Sequence, residues 1–152
     1  MKKILFIIMA MMALVSCHNT TIVDGTKLKT IKVTVNAHQW TKTDFPNNNY
    51  FYAGVDIPEI TEDVFDYGEV KAYVVYDRMD LHYARKHLLP YVTHKEEYID
   101  NSWYFYTETI DFTYGIEWAE FNFLASDFAY ELDNNIAPPA MEFDIVITYP
   151  QH

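Results

Sequence analysis

The segment Ile31-Lys32-Val33-Thr34-Val35-Asn36-Ala37-His38 alternates apolar and polar side chains without interruption. A period of two places the apolar set on one face of an extended chain, which predicts a β-strand with one buried face. Similar alternation or strongly β-forming composition recurs at residues 50–57, 69–76, 102–113, 116–125 and 141–149. Because no long helical period interrupts these segments, the chain is predicted to be an all-β protein.

The predicted fold is an antiparallel two-sheet β-sandwich of six or seven strands, immunoglobulin-like or jelly-roll-like. Closure into a barrel is the alternative. Tyr91 to Lys95 is predicted to form a short edge strand, and Thr61 is predicted to cap one helical turn that runs to Phe65. The segments 77–90 and 126–139 are predicted to be irregular.

The N-terminus has the pattern of a secretory signal. Lys2 and Lys3 precede an apolar run from Ile4 to Val15, which is shorter than the roughly 20 residues that a membrane-spanning helix needs. The only cysteine of the chain, Cys17, follows this run directly. We therefore expect a signal peptide over residues 1–16, Cys17 and a tether over residues 17–26, and a single domain over residues 27–152.

Leu14-Val15-Ser16-Cys17 also resembles the lipobox of bacterial lipoproteins. That resemblance implies a diacylglyceryl thioether on Cys17, cleavage before Cys17, and acylation of the new amine, commonly with palmitate. One acyl chain anchors a protein only marginally, so several chains are the physical requirement for stable attachment. An ordinary signal peptide with an incidental cysteine is the alternative interpretation.

The charge of the chain limits the class of partner. With 11 Lys and Arg against 22 Asp and Glu, the formal net charge is −11. An acidic surface repels phosphate backbones and anionic headgroups, so nucleic acid is not expected as a partner and the domain is expected to stand off the membrane on its tether. The aromatic content of 17% suits β-strands.

Several segments together resemble a group of small Bacteroidota lipoproteins. They are Val33-Thr34-Val35-Asn36 with Trp40, Tyr50-Phe51-Tyr52-Ala53, Val55 to Thr61, Asp66 to Val70, Trp118-Ala119-Glu120-Phe121 and Ser126-Asp127-Phe128. The resemblance implies an all-β domain anchored in the cell envelope at the outer membrane, and it identifies no catalytic residue in this chain. Surface export in that phylum is associated with acids just after the lipidated cysteine. Here the first acid is Asp24, which leaves the periplasmic and surface faces both open.

Chemical sites are poorly supported by the spacing of residues. His82, His87 and His94 with Glu96 and Glu97 are the best metal-ligand candidates, but they match no known ligand pattern, and solvated histidines explain them. The acids Glu59, Glu62, Asp63, Asp66 and Glu69 match no EF-hand loop, and an acidic turn at a helix start explains them. We therefore predict no metal, no cofactor and no enzymatic activity.

Aromatic side chains give the more informative signal. Trp40, Trp103, Tyr104, Tyr106 and Trp118 are the candidate binding residues, because flat apolar rings serve protein partners and sugars alike. The alternative is that these rings fill the core. The leading hypothesis is a lipid-anchored, non-enzymatic envelope protein that binds another protein; a glycan-binding module is the second hypothesis, and a metal-dependent hydrolase at residues 82–97 is the third.

Overall fold

The computed structural model describes residues 18–23, 26–43, 50–80, 82–99, 101–126 and 137–149. The expected signal peptide and Cys17 lie outside these residues. Ten strands run through the described part in the order β1 (His18–Val23), β2 (Thr26–Val35), β3 (Thr41–Lys42), β4 (Tyr50–Asp56), β5 (Glu69–Tyr76), β6 (Arg85–Leu88), β7 (Tyr91–Ile99), β8 (Ser102–Gly115), β9 (Trp118–Ala125) and β10 (Met141–Thr148). A 3-10 helix (Ala37–Gln39) follows β2, and one α-helix, α1 (Glu62–Tyr67), precedes β5. Among the described residues, no helix is long and apolar enough to cross a membrane.

The strands form two five-stranded antiparallel sheets. Sheet A has the order β1-β2-β10-β5-β6, and sheet B has the order β3-β4-β9-β8-β7. The two sheets pack face to face and do not close into a barrel, which confirms the predicted sandwich. The strand count exceeds the six or seven expected from the sequence.

Side chains from both inner faces meet in one core, and the alternation that predicted β2 accounts for its half of that core. Ile31, Val33 and Val35 are buried, whereas the intervening Lys32 and Thr34 are exposed. The strand predicted over Ile31 to His38 ends at Val35, however, and Ala37 is exposed in the 3-10 helix that follows. At the centre, the ring of Phe121 on β9 stacks on Phe143 of β10 with a centroid distance of 3.8 Å. This stack joins the two sheets, and dispersion and apolar burial hold it there.

The predicted helical turn is confirmed as α1. The hydroxyl of Thr61 accepts a hydrogen bond from the backbone N–H of Val64, which is the expected N-cap interaction. Gly68 ends the helix in a tight space, since a β-carbon there would lie 2.7 Å from the carbonyl oxygens of Val64 and Thr148. The turn thus directs the chain from α1 into β5.

Three further expectations about strands were wrong. Residues 18–23, expected to belong to a tether, form β1 and pair with β2 from His18 opposite Ile31 to Val23 opposite Thr26. The segment 77–90, expected to be irregular, contains β6, which pairs with β5. The edge strand expected from Tyr91 to Lys95 continues to Ile99 because it pairs along its whole length with β8. In each case, pairing with a neighbouring strand supplies backbone hydrogen bonds that the local sequence does not signal.

Candidate functional site: an aromatic surface on the β7–β8 hairpin

Three large aromatic side chains lie together on the outer face of sheet B. Strand alternation puts Trp103 and Phe105 of β8 on that face, and Tyr98 of β7 lies directly opposite Trp103. The ring centroids are 5.1 Å apart for Tyr98 and Trp103 and 6.4 Å apart for Trp103 and Phe105. We call Tyr98, Trp103 and Phe105 the hairpin surface.

The hairpin surface is largely open to solvent. Tyr98, Trp103 and Phe105 are 56%, 60% and 68% exposed. At about 150–250 Å² per aromatic side chain, these fractions leave roughly 350 Å² of mostly apolar area in contact with water. Contiguous patches of roughly 300–600 Å² are the largest that a typical monomer shows, and they are often functional.

The hairpin that carries this surface extends past the rest of sheet B. β9 pairs with β8 only from Glu108 to Gly115. Within the described residues, the segment of β8 from Ser102 to Tyr106 pairs with β7 alone. An isolated two-stranded ribbon is marginally stable in water, so side-chain contacts must support this one.

Polar contacts on the hairpin supply that support. The hydroxyl of Tyr106 donates a hydrogen bond to Glu97 at 2.6 Å, and Lys95 forms an ion pair with Glu108 at 3.3 Å. At the tip, the hydroxyl of Tyr98 donates to the side-chain oxygen of Asn101 at 2.9 Å. Asn101 has a φ of 66°, a conformation that asparagine tolerates better than most residues.

A shallow depression of about 310 Å³ adjoins the aromatic rings. Its walls include His94, Phe105, Thr107 and Ser126. The Nδ1 atom of His94 lies 3.2 Å from the hydroxyl of Thr107, and the hydroxyl of Ser126 accepts a hydrogen bond from the backbone N–H of Thr107. The apolar rings therefore have a polar rim on this side, as the centre of a protein interface commonly does.

The five aromatic candidates from the sequence do not form one site. Trp40 is buried, and its indole N–H donates to the carbonyl of Pro139, so it belongs to the core. Tyr106 is buried as well, and Tyr104 is half-buried on the opposite face of the hairpin from Trp103. Trp118 is exposed but lies at the other end of sheet B, next to Gly115.

Two members of the hairpin surface, Tyr98 and Phe105, were not among the binding residues predicted from the sequence. The alternation of β8 is a signal that would have found Phe105, because residues 103 and 105 must share a face. Tyr98 was missed because the predicted edge strand ended at Lys95. Only the register of β7 against β8 places Tyr98 beside Trp103.

The candidate metal ligands are scattered. His82 is exposed after β5, the ring of His87 packs on Tyr91 at 4.2 Å, and His94 lies on the outer face of sheet B. Of the acidic set, Glu59 pairs with Lys29 and Glu69 pairs with Lys71. Within the part of the chain that the structure describes, no three His, Cys, Asp or Glu side chains come close enough together to hold a metal ion.

A buried carboxylate organises the outer face of sheet A. Asp144 on β10 is only 1% exposed and receives Arg78 at 2.7 Å on one oxygen and Lys86 on the other. Burial by itself raises the pKa of Asp144, but hydrogen bonds from Lys86 and Arg78 outweigh it and hold the pKa below its ordinary value. Arg78 also pairs with Glu142, which fixes the segment after β5 across β10.

A groove of about 560 Å³ lies beside this ionic cluster. Apolar side chains form most of its wall, among them Val75, Met79 and Met141, with Arg78 and Glu142 at one side. The groove and the hairpin surface lie on opposite sheets.

Neither protein-family models, nor curated proteins, nor solved structures match this chain. The geometry of its own side chains therefore carries the functional argument.

Proposed function

We propose that the chain is a lipid-anchored protein of the bacterial cell envelope, without enzymatic activity, that binds another envelope protein through the hairpin surface. The observation that carries the proposal is the exposure of Tyr98, Trp103 and Phe105 on a hairpin that extends beyond its sheet. The sequence pattern from Lys2 to Cys17 supports the lipid anchor and the envelope location.

Side-chain chemistry favours a protein over a sugar as the partner of this surface. Phe105 is the most exposed of the three rings and has no polar atom with which to bind a hydroxyl group. The rings of Tyr98 and Trp103 are inclined at 49°, so the three rings do not form a single plane. An uneven apolar centre with a polar rim fits the side chains of a protein partner, where buried aromatic anchors contribute most of the binding energy.

The anchor also assists binding. A protein held at a membrane meets other membrane-bound proteins at an effective concentration far above its average concentration in the cell. The acidic net charge of −11 favours partners whose contact surface is neutral or basic and disfavours nucleic acid.

Isolation of the native protein from mildly solubilised membranes tests the proposal. The wild-type chain is expected to retain a stoichiometric envelope protein, and Cys17→Ala is expected to appear in the soluble fraction with little or none of it. The variant W103S/F105S is expected to remain membrane-bound and to lose the partner. Tyr67→Ser is the matched control, because Tyr67 is an equally accessible aromatic residue on α1.

Two results would contradict the proposal. Recovery of the wild-type protein alone would show that it has no stable partner. Retention of the same partner by W103S/F105S would show that the hairpin surface is not the binding site. A Cys17→Ala protein that stays in the membrane fraction and still carries label from a fatty-acid analogue would show that Cys17 is not the lipid anchor.

A further inference from the structure

A second exposed tryptophan lies flat on sheet B, far from the hairpin surface. Trp118 on β9 is 44% exposed and pairs with Gly115 of β8. A β-carbon on Gly115 would lie 2.5 Å from Nε1 and 2.6 Å from Cε2 of the indole. One face of the ring therefore rests on the glycine backbone, where only glycine leaves room, and the other face is open to solvent.

An open notch adjoins this ring on the same face of the sheet. Gly54 of β4 is exposed on the outer face, and a β-carbon there would meet no atom within 4 Å. Its neighbours along β4 on this face are Tyr52 and Asp56, and Asp56 lies directly opposite Trp118. Glu120 lies directly opposite Gly54. The side chains of Tyr52 and Trp118 thus border a gap that spans about four residues, or roughly 13 Å at 3.3 Å per residue.

The groups around the notch are hydrogen-bond acceptors. None of the ion pairs formed among the described residues involves Asp56 or Glu120. Asn122, two residues along β9 from Glu120, is buried, so the carboxylates of Asp56 and Glu120 are the acceptors that a ligand above Gly54 can reach.

We propose that Trp118, Gly54, Asp56 and Glu120 form a binding site for a neutral carbohydrate. The apolar face of a pyranose ring packs on the open face of the indole, and its hydroxyl groups donate hydrogen bonds to the carboxylates of Asp56 and Glu120. The proposal rests on different residues from the hairpin surface and does not depend on the proposed function.

The chemistry of the site separates this ligand from its competitors. The carboxylates of Asp56 and Glu120, which form no ion pair among the described residues, repel uronic acids, sulfated sugars and phosphates. A basic peptide would pair with the carboxylates of Asp56 and Glu120 and stack on the indole, but an extended side chain would not fill the space above Gly54. A sugar ring with an apolar face contacts the indole of Trp118, the space above Gly54 and the carboxylate acceptors at the same time.

Binding of defined oligosaccharides to the purified full-length protein tests the proposal. The probes are cellohexaose, xylohexaose, mannohexaose and maltohexaose, with oligogalacturonate as the anionic comparison and hexa-arginine as the basic one, each measured by calorimetry. At least one neutral hexasaccharide is expected to bind, with affinity reduced at least tenfold by Trp118→Ala and by Gly54→Val. Tyr67→Ala, which removes an exposed aromatic side chain on α1, is expected to leave that affinity unchanged.

Gly54→Val keeps the experiment decisive, because valine suits a strand and fills the notch without removing the indole of Trp118. The proposal is overturned if no neutral probe binds at millimolar concentration, or if Trp118→Ala binds as the wild type does. Binding of hexa-arginine alone, lost in Trp118→Ala, would assign the site to a basic peptide and would overturn it equally.

Discussion

At the scale of single residues, Asp144 illustrates what strand alternation predicts and what it leaves out. Alternation along β10 places Phe143 and Ile145 in the core and Asp144 on the outer face, where a carboxylate is expected to be solvated. The structure buries it instead, beneath Arg78 and Lys86. Those partners come from a segment about 60 residues earlier in the chain, so no local pattern could have identified them.

Asp144→Asn is expected to lower the free energy of unfolding at pH 7 by about 1–3 kcal/mol. The substitution leaves Arg78 and Lys86 without their shared anion, and the cost stays below that of a fully buried pair because both cations are partly exposed. The pKa of Asp144 is lower in the folded than in the unfolded chain, so its contribution is complete above the unfolded value near 3.9 and is lost as pH falls through the folded value. Urea denaturation at pH 7, 4 and 2.5 should therefore show that the difference in the free energy of unfolding between wild type and Asp144→Asn becomes smaller at acid pH.

Glu69→Gln is the matched control for Asp144→Asn. Its ion pair with Lys71 is solvent-exposed, and such pairs contribute little to stability. Two results would show that the buried ion pairs do not stabilise the outer face of sheet A. One is that Asp144→Asn lowers the free energy of unfolding no more than Glu69→Gln does. The other is that the effect of Asp144→Asn is the same at pH 2.5 as at pH 7.

At the scale of elements, strands with clear alternation were predicted and strands without it were not. β2, β4, β5, β8 and β10 bury an alternating apolar set, and their positions follow from the sequence within a few residues. β1 is mostly polar and β6 has the sequence Arg85-Lys86-His87-Leu88. Both are edge strands, whose existence depends on a neighbour's backbone rather than on a buried face.

The exposure of the hairpin surface also depends on contacts between distant parts of the chain. The sequence showed that both faces of Trp103-Tyr104-Phe105-Tyr106 are aromatic, but it could not decide which face is buried. That depends on where β9 stops pairing with β8 and on the interaction of Tyr106 with Glu97, and both are long-range features of the fold. The same limit explains why Trp40 was a binding candidate although it packs on Phe123 in the core.

The hairpin surface is expected to make no measurable contribution to the stability of the isolated protein. W103A/F105A removes side chains that are mostly exposed, so thermal unfolding should stay within about 2 °C of wild type. Phe121→Ala, which removes a fully buried ring from the stack on Phe143, should cost about 3–5 kcal/mol and lower the melting temperature strongly. A large loss of stability in W103A/F105A would mean that the rings serve the fold rather than a partner.

At the scale of the whole molecule, sheet B carries the exposed Trp103 and Trp118 at opposite ends of its outer face. The hairpin surface lies past one end of sheet B, and Trp118 lies at the other end. The sandwich could be predicted because its core follows a simple period. The separation into two surfaces could not, because it arises from register and from the packing of loops and turns.

β1 also changes the expected relation of the domain to its anchor. The sequence suggested a free tether up to residue 26, whereas the structure incorporates His18–Val23 into the edge of sheet A. If Cys17 carries the lipid as proposed, little chain separates the acyl groups from this edge. The hairpin surface belongs to the other sheet, so the proposed partner would approach the domain on the side away from β1.

Site-specific photocrosslinking in intact cells is the most direct test of whether the hairpin surface binds an envelope protein. A photoreactive phenylalanine is introduced at position 105 on the hairpin surface or at position 67 on α1, both of which are exposed aromatic positions in the wild type. We predict one discrete adduct of an envelope protein from position 105 and none from position 67. No adduct from position 105, or the same set of adducts from both positions, would contradict the proposed function.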